Sequence, residues 1–349
     1  MLERLRRFVK MEVAEVANAN VENLIYHTNE YQQFIEEAFG CNYKFFRSDD
    51  GKTVLPLVEV KSKIFGNKII STAYLEYGGF FGECCKNNVS EILDKISKEY
   101  KENNNYLEIR GATEEIDGVL SNYPEVIKKN LYKRFVLHLD GGEEEVWRGI
   151  QKWKKKAVRK ALKSVDVKEI PFSDLEEFYS LYCQNMRQFG SPPYSQKYFQ
   201  SFYKHLVSNG LGKIYGAYHK DNGKLIAALL GFCYGNRTHI LIAVSDDKSQ
   251  QFRPNDATHW TFIKWACQNS YKVFDFGRVR EESGQFEFKR KWGAELKELP
   301  SYFILWKGKN IPLVDPSSKQ YQLMLKLWKQ TPLVFTKLIG PKLRKGLGI

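Results

Sequence analysis

Lys213-Ile214-Tyr215-Gly216-Ala217-Tyr218-His219, then Asp221-Asn222-Gly223-Lys224, then the apolar run Leu225–Tyr234, is the stretch that decides the fold class. An Asn-Gly turn between two runs rich in β-branched and aromatic residues predicts a hairpin, because glycine supplies the left-handed conformation the turn needs. A third strand, Thr238–Ser245, follows the turn Gly235-Asn236. A helix over Asn255–Asn269, a strand Val273–Phe276 ending at Gly277-Arg278, and a last strand Ser301–Trp306 complete the unit. The same order occurs nearer the start. Strand Tyr43–Arg47, turn Asp49-Asp50-Gly51-Lys52, strands Val54–Val60 and Ile69–Leu75 joined through Phe65-Gly66-Asn67, helix Val89–Tyr100, strand Tyr106–Ile109 ending at Arg110-Gly111, and strand Lys133–Leu139 are expected there. Turn glycine to post-strand glycine is 60 residues in the first copy and 54 in the second. Recurrence of both order and turn chemistry predicts a duplicated α/β chain, each copy a mixed sheet with helices packed on it.

A length of 349 residues suits two domains. We place them at residues 1–142 and 143–311, followed by a basic amphipathic tail, 312–349. Further helices are expected at Val21–Phe39, Glu143–Lys163, Ser173–Phe189 and Ser195–Ser208. Ser173 and Glu176 have the spacing of a capping box, and Ser191-Pro192-Pro193 separates the last two helices. In the tail, Pro332 and Gly340-Pro341 are expected to leave only short pieces. There Leu323, Leu327 and Trp328 suit either a packed core or a membrane interface flanked by lysines.

Composition narrows the function classes. With 43% hydrophobic residues the chain can fill two cores, and no apolar run has the length of a membrane span. The basic start leads into acids and Asn18 with no apolar segment, so no signal peptide is expected. Six cysteines without a Cys-x-x-Cys pair and six scattered histidines argue for reduced thiols, no metal and a cytoplasmic location. A net charge of +13, concentrated at Lys152–Lys163 and in the tail, points to nucleic acid, an anionic membrane face or a phosphorylated substrate.

Val273-Phe274-Asp275-Phe276-Gly277-Arg278, followed by Ser283-Gly284-Gln285-Phe286-Glu287-Phe288-Lys289-Arg290-Lys291-Trp292-Gly293-Ala294, resembles the signature of the FemAB-like (FemABX-related) proteins of the GNAT acyltransferase superfamily. Phe65-Gly66 with Tyr77-Gly78-Gly79 is similar to a weaker part of it. The resemblance covers roughly residues 20–310. It implies two tandem GNAT-like acyltransferase domains and transfer of an acyl group to an amine or hydroxyl. In characterised members, aminoacyl-tRNA is the donor and the stem peptide of a peptidoglycan precursor is the acceptor. The long helical arm of some tRNA-dependent members is missing here. Acetyl-CoA-binding GNAT domains place a glycine-rich turn before the second-copy helix, where N–H groups hold pyrophosphate. This chain has Gln251-Phe252-Arg253-Pro254-Asn255-Asp256-Ala257 instead. CoA held in the usual way is therefore disfavoured, and no cofactor is expected.

Several residues follow as candidates. Lys289, beside Phe288, is either a phosphate and oxyanion contact, as the resemblance implies for a Phe-Lys pair, or a solvated lysine. Asp275 either accepts a proton from the attacking amine or pairs structurally with Arg278, itself a candidate anion ligand. Tyr77 begins a loop of small residues that lets backbone approach a ligand. Arg159 on the basic helix, with Lys160, is a diphosphate or nucleic-acid contact or part of a hydrated face. Arg187 and Tyr194 flank the double proline as acceptor contacts. Arg253 is an anion contact, and Asn255 an N-cap or a substrate contact. No Gly-x-Ser-x-Gly elbow is present.

The expected partners are an acyl donor, aminoacyl-tRNA or an acyl thioester, and a phosphate-bearing or lipid-linked cell-envelope acceptor, with peripheral contact at an anionic inner membrane face. Two alternatives stand beside this reading. One is a CoA- or carrier-protein-dependent acyltransferase on a sugar or polysaccharide precursor. The other is a non-catalytic tRNA- or membrane-binding adaptor on a degenerate fold.

Overall fold

The computed structural model describes residues 24–111, 114–311 and 318–348. The expected helix start at Val21 and the tail residues Pro312, Asp315 and Pro316 lie outside them. Contacts divide the chain into two compact units, each discontinuous in sequence. One is Met1–Leu131, Leu299–Pro312 and Lys345–Ile349, the other Tyr132–Glu298 and Leu313–Arg344.

The first unit contains α1 (Asn29–Phe39), β1 (Tyr43–Arg47), β2 (Thr53–Val60), β3 (Lys68–Ser71), the two-residue β4 (Phe81–Gly82), α2 (Lys86–Tyr100), β5 (Tyr106–Arg110) and α3 (Glu114–Leu120). Its strands run β1-β2-β3-β5, and the far edge of β5 pairs antiparallel with Ser301–Leu305 of β12 (Glu295–Leu305). Helix α2 forms because Val89, Ile92, Leu93, Ile96 and Tyr100 recur on one face, and that face is buried against Leu57, Ile69 and Leu107. The expected strand Ile69–Leu75 stops at Ser71. Thr72 and Tyr74 adopt left-handed conformations there, and the Thr72 hydroxyl donates to the Gly78 carbonyl at 3.0 Å.

The second unit takes Tyr132–His138 of β6 (Val126–His138), then α4 (Gly142–Gly149), α5 (Lys152–Ser164), β7 (Val165–Glu169), α6 (Leu175–Phe189), α7 (Gln196–His205), β8 (Gly212–His219), β9 (Leu225–Tyr234), β10 (Arg237–Ser245), α8 (Pro254–Gln268), β11 (Val273–Val279) and α9 (Gly284–Arg290). Its strand order is β6-β11-β10-β9-β8-β7. The apolar run of β9 is buried from Leu225 to Cys233, as a central strand requires. The single basic helix expected over Glu143–Lys163 is two, α4 and α5, interrupted at Ile150 and Gln151. The Ser173/Glu176 capping box does not form. Ser173 donates instead to the Asp174 carboxylate at 2.7 Å, and α6 starts two residues later than expected, at Leu175.

Duplication is visible at atomic level. In each unit a strand, a helix and a second parallel strand follow a hairpin: β3-α2-β5 pairs Ile69 with Leu107, and β10-α8-β11 pairs Thr238 with Phe274. Both opening turns use one side chain in one way. Asp50 Oδ1 accepts from Lys52 N–H and Asn222 Oδ1 from Lys224 N–H, each at 3.0 Å. The final strands are exchanged, however. Lys133–His138, expected to close the first copy, pairs with β11, and Ser301–Leu305, expected to close the second, pairs with β5.

The described tail forms two helices, α10 (Lys319–Gln330) and α11 (Leu333–Leu347), with Pro341 inside α11 rather than breaking it. Trp328 packs inward, its indole donating to Ser191 O at 3.1 Å, whereas Leu323 and Leu327 face outward. Among the described residues, no helix is long and apolar enough to cross a membrane.

Candidate active site

The site is built where β10 and β11 part. Their parallel pairing runs from Arg237↔Val273 to His239↔Asp275, after which β10 continues to Ser245 and β11 to Val279. At the parting point β11 also shifts register against β6, between Asp275 and Arg278. Gly277, at φ +71°, makes that kink possible, since a side chain there would be strained. Asp275 holds it from one side, its Oδ1 accepting from Gly277 N–H at 2.9 Å.

Asp275 is fully buried, and its Oδ2 accepts from Arg134 at 2.8 Å and Arg237 at 3.3 Å. Among the described residues, the ion pairs of Asp275 are with these two arginines rather than with the expected Arg278. Both carboxylate oxygens are thus occupied with fixing the kink. Arg278 instead carries its guanidinium over the Tyr132 ring, 4.9 Å from the centroid, on a partly exposed surface.

Helix α9 supplies the other side. Ser283 caps it by accepting from Phe286 N–H. Lys289 is not the solvated lysine that the sequence allowed. It is only 9% exposed, and its ammonium donates to Gly277 O and Arg278 O at 2.9 Å each. The neighbouring Phe288 lies against a second buried lysine. Lys154 Nζ sits 3.6 Å from the Phe288 centroid, 4.9 Å from that of Trp292, and 2.5 Å from Asp256 Oδ1. Burial pulls the Lys154 ammonium below its usual range, and the Asp256 carboxylate opposes that pull.

Asp256 belongs to the first turn of α8. Arg253, at φ +56°, is the N-cap residue and Pro254 occupies the first helical position, so Asn255 is not the cap. Its amide donates to Ser245 Oγ at 2.9 Å, while its buried Oδ1 has no hydrogen-bond partner among the described residues. One turn on, His259 Nδ1 lies 2.7 Å from Asn255 O and its ring meets Phe288 edge-on at 4.9 Å. A carbonyl only accepts, so Nδ1 carries the proton. Burial drives this imidazole's pKa down to about 3. At the rim, half-exposed Trp153 lies between two cations, Arg253 at 5.1 Å and Lys291 at 4.9 Å from its ring centroid.

The structure therefore gathers Asp275, Arg278, Phe288, Lys289, Arg253 and Asn255 around β11, α8 and α9. The other candidates lie elsewhere. Exposed Arg159 covers the Trp147 ring at 5.4 Å. Tyr194 is buried, stacked on Tyr198 at 4.1 Å, and its hydroxyl accepts from Arg344 at 3.2 Å. Arg187 lies in the last turn of α6, and Tyr77 belongs to the first unit, packed edge-on against Tyr26. Burial pushes the Cys183 thiol up to about 11, which leaves it a poor nucleophile at neutral pH.

Lys154, Trp153, Asp256, Arg134 and Arg237 were missed as site residues. Lys154 had a signal: with Ala157, Val158 and Ala161 it occupies the buried stripe of α5, where a lysine needs a partner. The others had none, because their partners are remote in sequence.

Residues 150–290 match the acetyltransferase (GNAT) domain family. An 89-residue stretch is 32% identical to the lipid II:glycine glycyltransferase of Staphylococcus haemolyticus, covering 24% of this chain and 21% of that protein. The matching enzyme of Staphylococcus aureus is 30% identical over 87 residues, or 20% of its length. The matched stretch thus spans about a fifth of these relatives. Among solved structures, FemX superposes with a TM-score of 0.65 at 14% identity, over 92% of this chain and 98% of FemX. L-PGS from Bacillus licheniformis gives 0.56 at 14% identity, over 96% of both chains. A tandem GNAT protein from the clavulanic acid biosynthesis pathway gives 0.51 at 8% identity, over 74% of this chain and 80% of that one. The chain thus matches the acetyltransferase (GNAT) domain over residues 150–290 and shares the fold of FemX over 92% of its length.

Proposed function

We propose that the protein transfers an aminoacyl group from aminoacyl-tRNA to an amine of a phosphate-bearing cell-wall precursor. The observation that carries the choice of donor is the start of α8. Pro254 removes one N–H group from the turn where a pyrophosphate would bind, and the Asp256 carboxylate occupies that turn, tied to Lys154. A negative charge there opposes CoA held by the helix N-terminus. The glycyltransferase activity of the sequence relatives and the FemX-like fold support the aminoacyl choice.

In this reading the acceptor amine attacks the ester carbonyl of the donor, forming the new C–N bond. The tetrahedral intermediate then expels the ribose hydroxyl, which takes up the proton lost by the amine, directly or through water. Asp275, held by two arginines and the Gly277 N–H, acts as a positioning residue. Lys289 likewise positions the Gly277–Arg278 backbone, while Arg278, Arg253 and Lys291 supply the outward cations for phosphate. Pre-set dipoles of this kind stabilise charge that develops only in the transition state.

The test is mass spectrometry of lipid II and of its soluble nucleotide-linked precursor after incubation with charged tRNA. One aminoacyl mass added to either, with a rate that falls steeply as salt rises, is the expected result. Acetyl transfer from acetyl-CoA, with micromolar acetyl-CoA affinity by calorimetry and no aminoacyl transfer, would replace this reading with an ordinary acetyltransferase.

A further inference from the structure

Helices α10 and α11 bury one side and leave the other uncovered. The buried side is well fixed within the second unit. Trp328 bonds to Ser191, Thr336 is fully buried, Gly340 meets Pro193 so closely that a Cβ would lie 2.4 Å from its ring, and Arg344 rests on Tyr194 at 4.3 Å. The opposite side is apolar and open. Val334 is 75% exposed, Leu338 67%, Leu323 and Leu327 58% each, and Met324 and Phe335 56% each. Single exposed leucines are ordinary, but six large exposed side chains on two consecutive helices are more than a soluble monomer usually leaves uncovered.

The charged residues of the two helices are of one sign. Lys319, Lys326, Lys329 and Lys342 are exposed beside it, Lys337 turns back over the Tyr179 ring at 5.4 Å, and residues 318–348 contain no Asp or Glu. A protein partner of ordinary composition would not select so one-sided a rim, whereas an anionic leaflet does. Basic residues near such a leaflet contribute about 1 kcal/mol each, and apolar side chains enter the headgroup boundary beside them. We propose that the outer face of α10 and α11 is a docking surface for an anionic lipid bilayer. The two helices lie along the interface, with Leu323, Leu327, Val334, Phe335 and Leu338 inserted and the lysines at headgroup level. This surface rests on residues and exposures separate from those behind the acyl-transfer reading, so either can fail alone.

The experiment is cosedimentation of the full chain with vesicles of phosphatidylglycerol and phosphatidylcholine, and with phosphatidylcholine alone. Binding to the anionic vesicles only, weakening as salt is raised, is expected. Two double variants at exposed positions, Val334→Asp with Leu338→Asp and Lys326→Glu with Lys342→Glu, should each lower the partition coefficient by about tenfold or more while leaving the melting curve in place. Retention of the full chain in the supernatant with anionic vesicles at low salt would overturn the proposal. So would equal binding to neutral vesicles, or undiminished binding by the apolar double variant. A concentration-dependent dimer that Leu338→Asp abolishes would assign the face to a second copy of the chain and overturn it too.

Discussion

Arg110-Gly111 close β5 in the first unit and Gly277-Arg278 lie near the end of β11, its equivalent in the second, and the same backbone device serves opposite purposes in them. Both glycines are left-handed, at φ +64° and +71°. In the first unit the surroundings are closed. A Cβ on Gly111 would lie 2.4 Å from that of Tyr77, and the Arg110 guanidinium is buried against both Glu108 oxygens, Leu75 O and Gly348 O. In the second unit the kink is supported from beneath by Asp275 and Lys289, and Arg278 turns outward onto Tyr132. One copy has filled its strand end with its own side chains. The other holds its strand end rigid while presenting a cation, which is the arrangement a ligand site needs.

The largest expected effect breaks the closed copy. Arg110→Ala removes a buried bidentate partner from Glu108, whose side chain is only 12% exposed, and strands two carbonyls. Leaving a buried charge unpaired costs about 3–5 kcal/mol. Urea unfolding of Arg110→Ala should show a large loss in stability. A midpoint close to that of the parent chain would mean that the first unit is as open as the second.

Lys289→Ala comes next. It removes the ammonium from two buried carbonyls, at about 1–3 kcal/mol for groups left unsatisfied, so melting should fall, contrary to what a solvated lysine would give. Turnover should drop about tenfold or more, about 1.4 kcal/mol of transition-state stabilisation, because the kink loses its support. Lys291→Ala, at the exposed rim beside Trp153, should leave melting in place and act mainly on KM. Equal behaviour of the two variants would remove the positioning role.

Acid should treat both units alike. His27 in the first unit and His259 in the second are buried as neutral imidazoles, each with a pKa driven down to about 3 by burial. Between that value and 6.5 the unfolded chain binds more protons than the folded one. Stability is therefore complete above about pH 6.5 and falls as pH drops, by about 1.4 kcal/mol per histidine for each pH unit. His259→Leu should flatten that slope in the pH dependence of unfolding. An unchanged slope would show that His259 is protonated in the fold.

Most of the fold was legible because it is written locally. The two hairpin turns carry Asp50 and Asn222 two residues before the N–H groups they accept from, and the α2 stripe repeats every three or four residues. The strand exchange was not legible. Nothing local in Lys133–Leu139 or Ser301–Trp306 states which neighbour will accept its hydrogen bonds, and chain order alone gives each strand the wrong partner. The site divided in the same way. Phe288-Lys289 and Asp275 stood out as residues, but their roles depend on partners far away in sequence. Arg134 lies 141 residues from Asp275, and Lys154 lies 102 from Asp256.

The smallest effect on stability, and the sharpest test of the comparison, belongs to Arg278. Its guanidinium rests on a partly exposed tyrosine, so Arg278→Ala should shift unfolding by no more than about 0.5 kcal/mol. If this cation meets substrate phosphate, the same change should raise KM for the phosphate-bearing substrate with little loss in kcat, the signature of binding shared by ground and transition states. Arg278→Lys should recover part of it, since an ammonium keeps the charge but not the planar fork. The paired measurement is what matters. Arg110→Ala must lose stability, whereas Arg278→Ala must lose affinity and stay folded. A KM unchanged in Arg278→Ala would make the second strand end as structural as the first, and would move the phosphate site to Arg253 and Lys291 around Trp153.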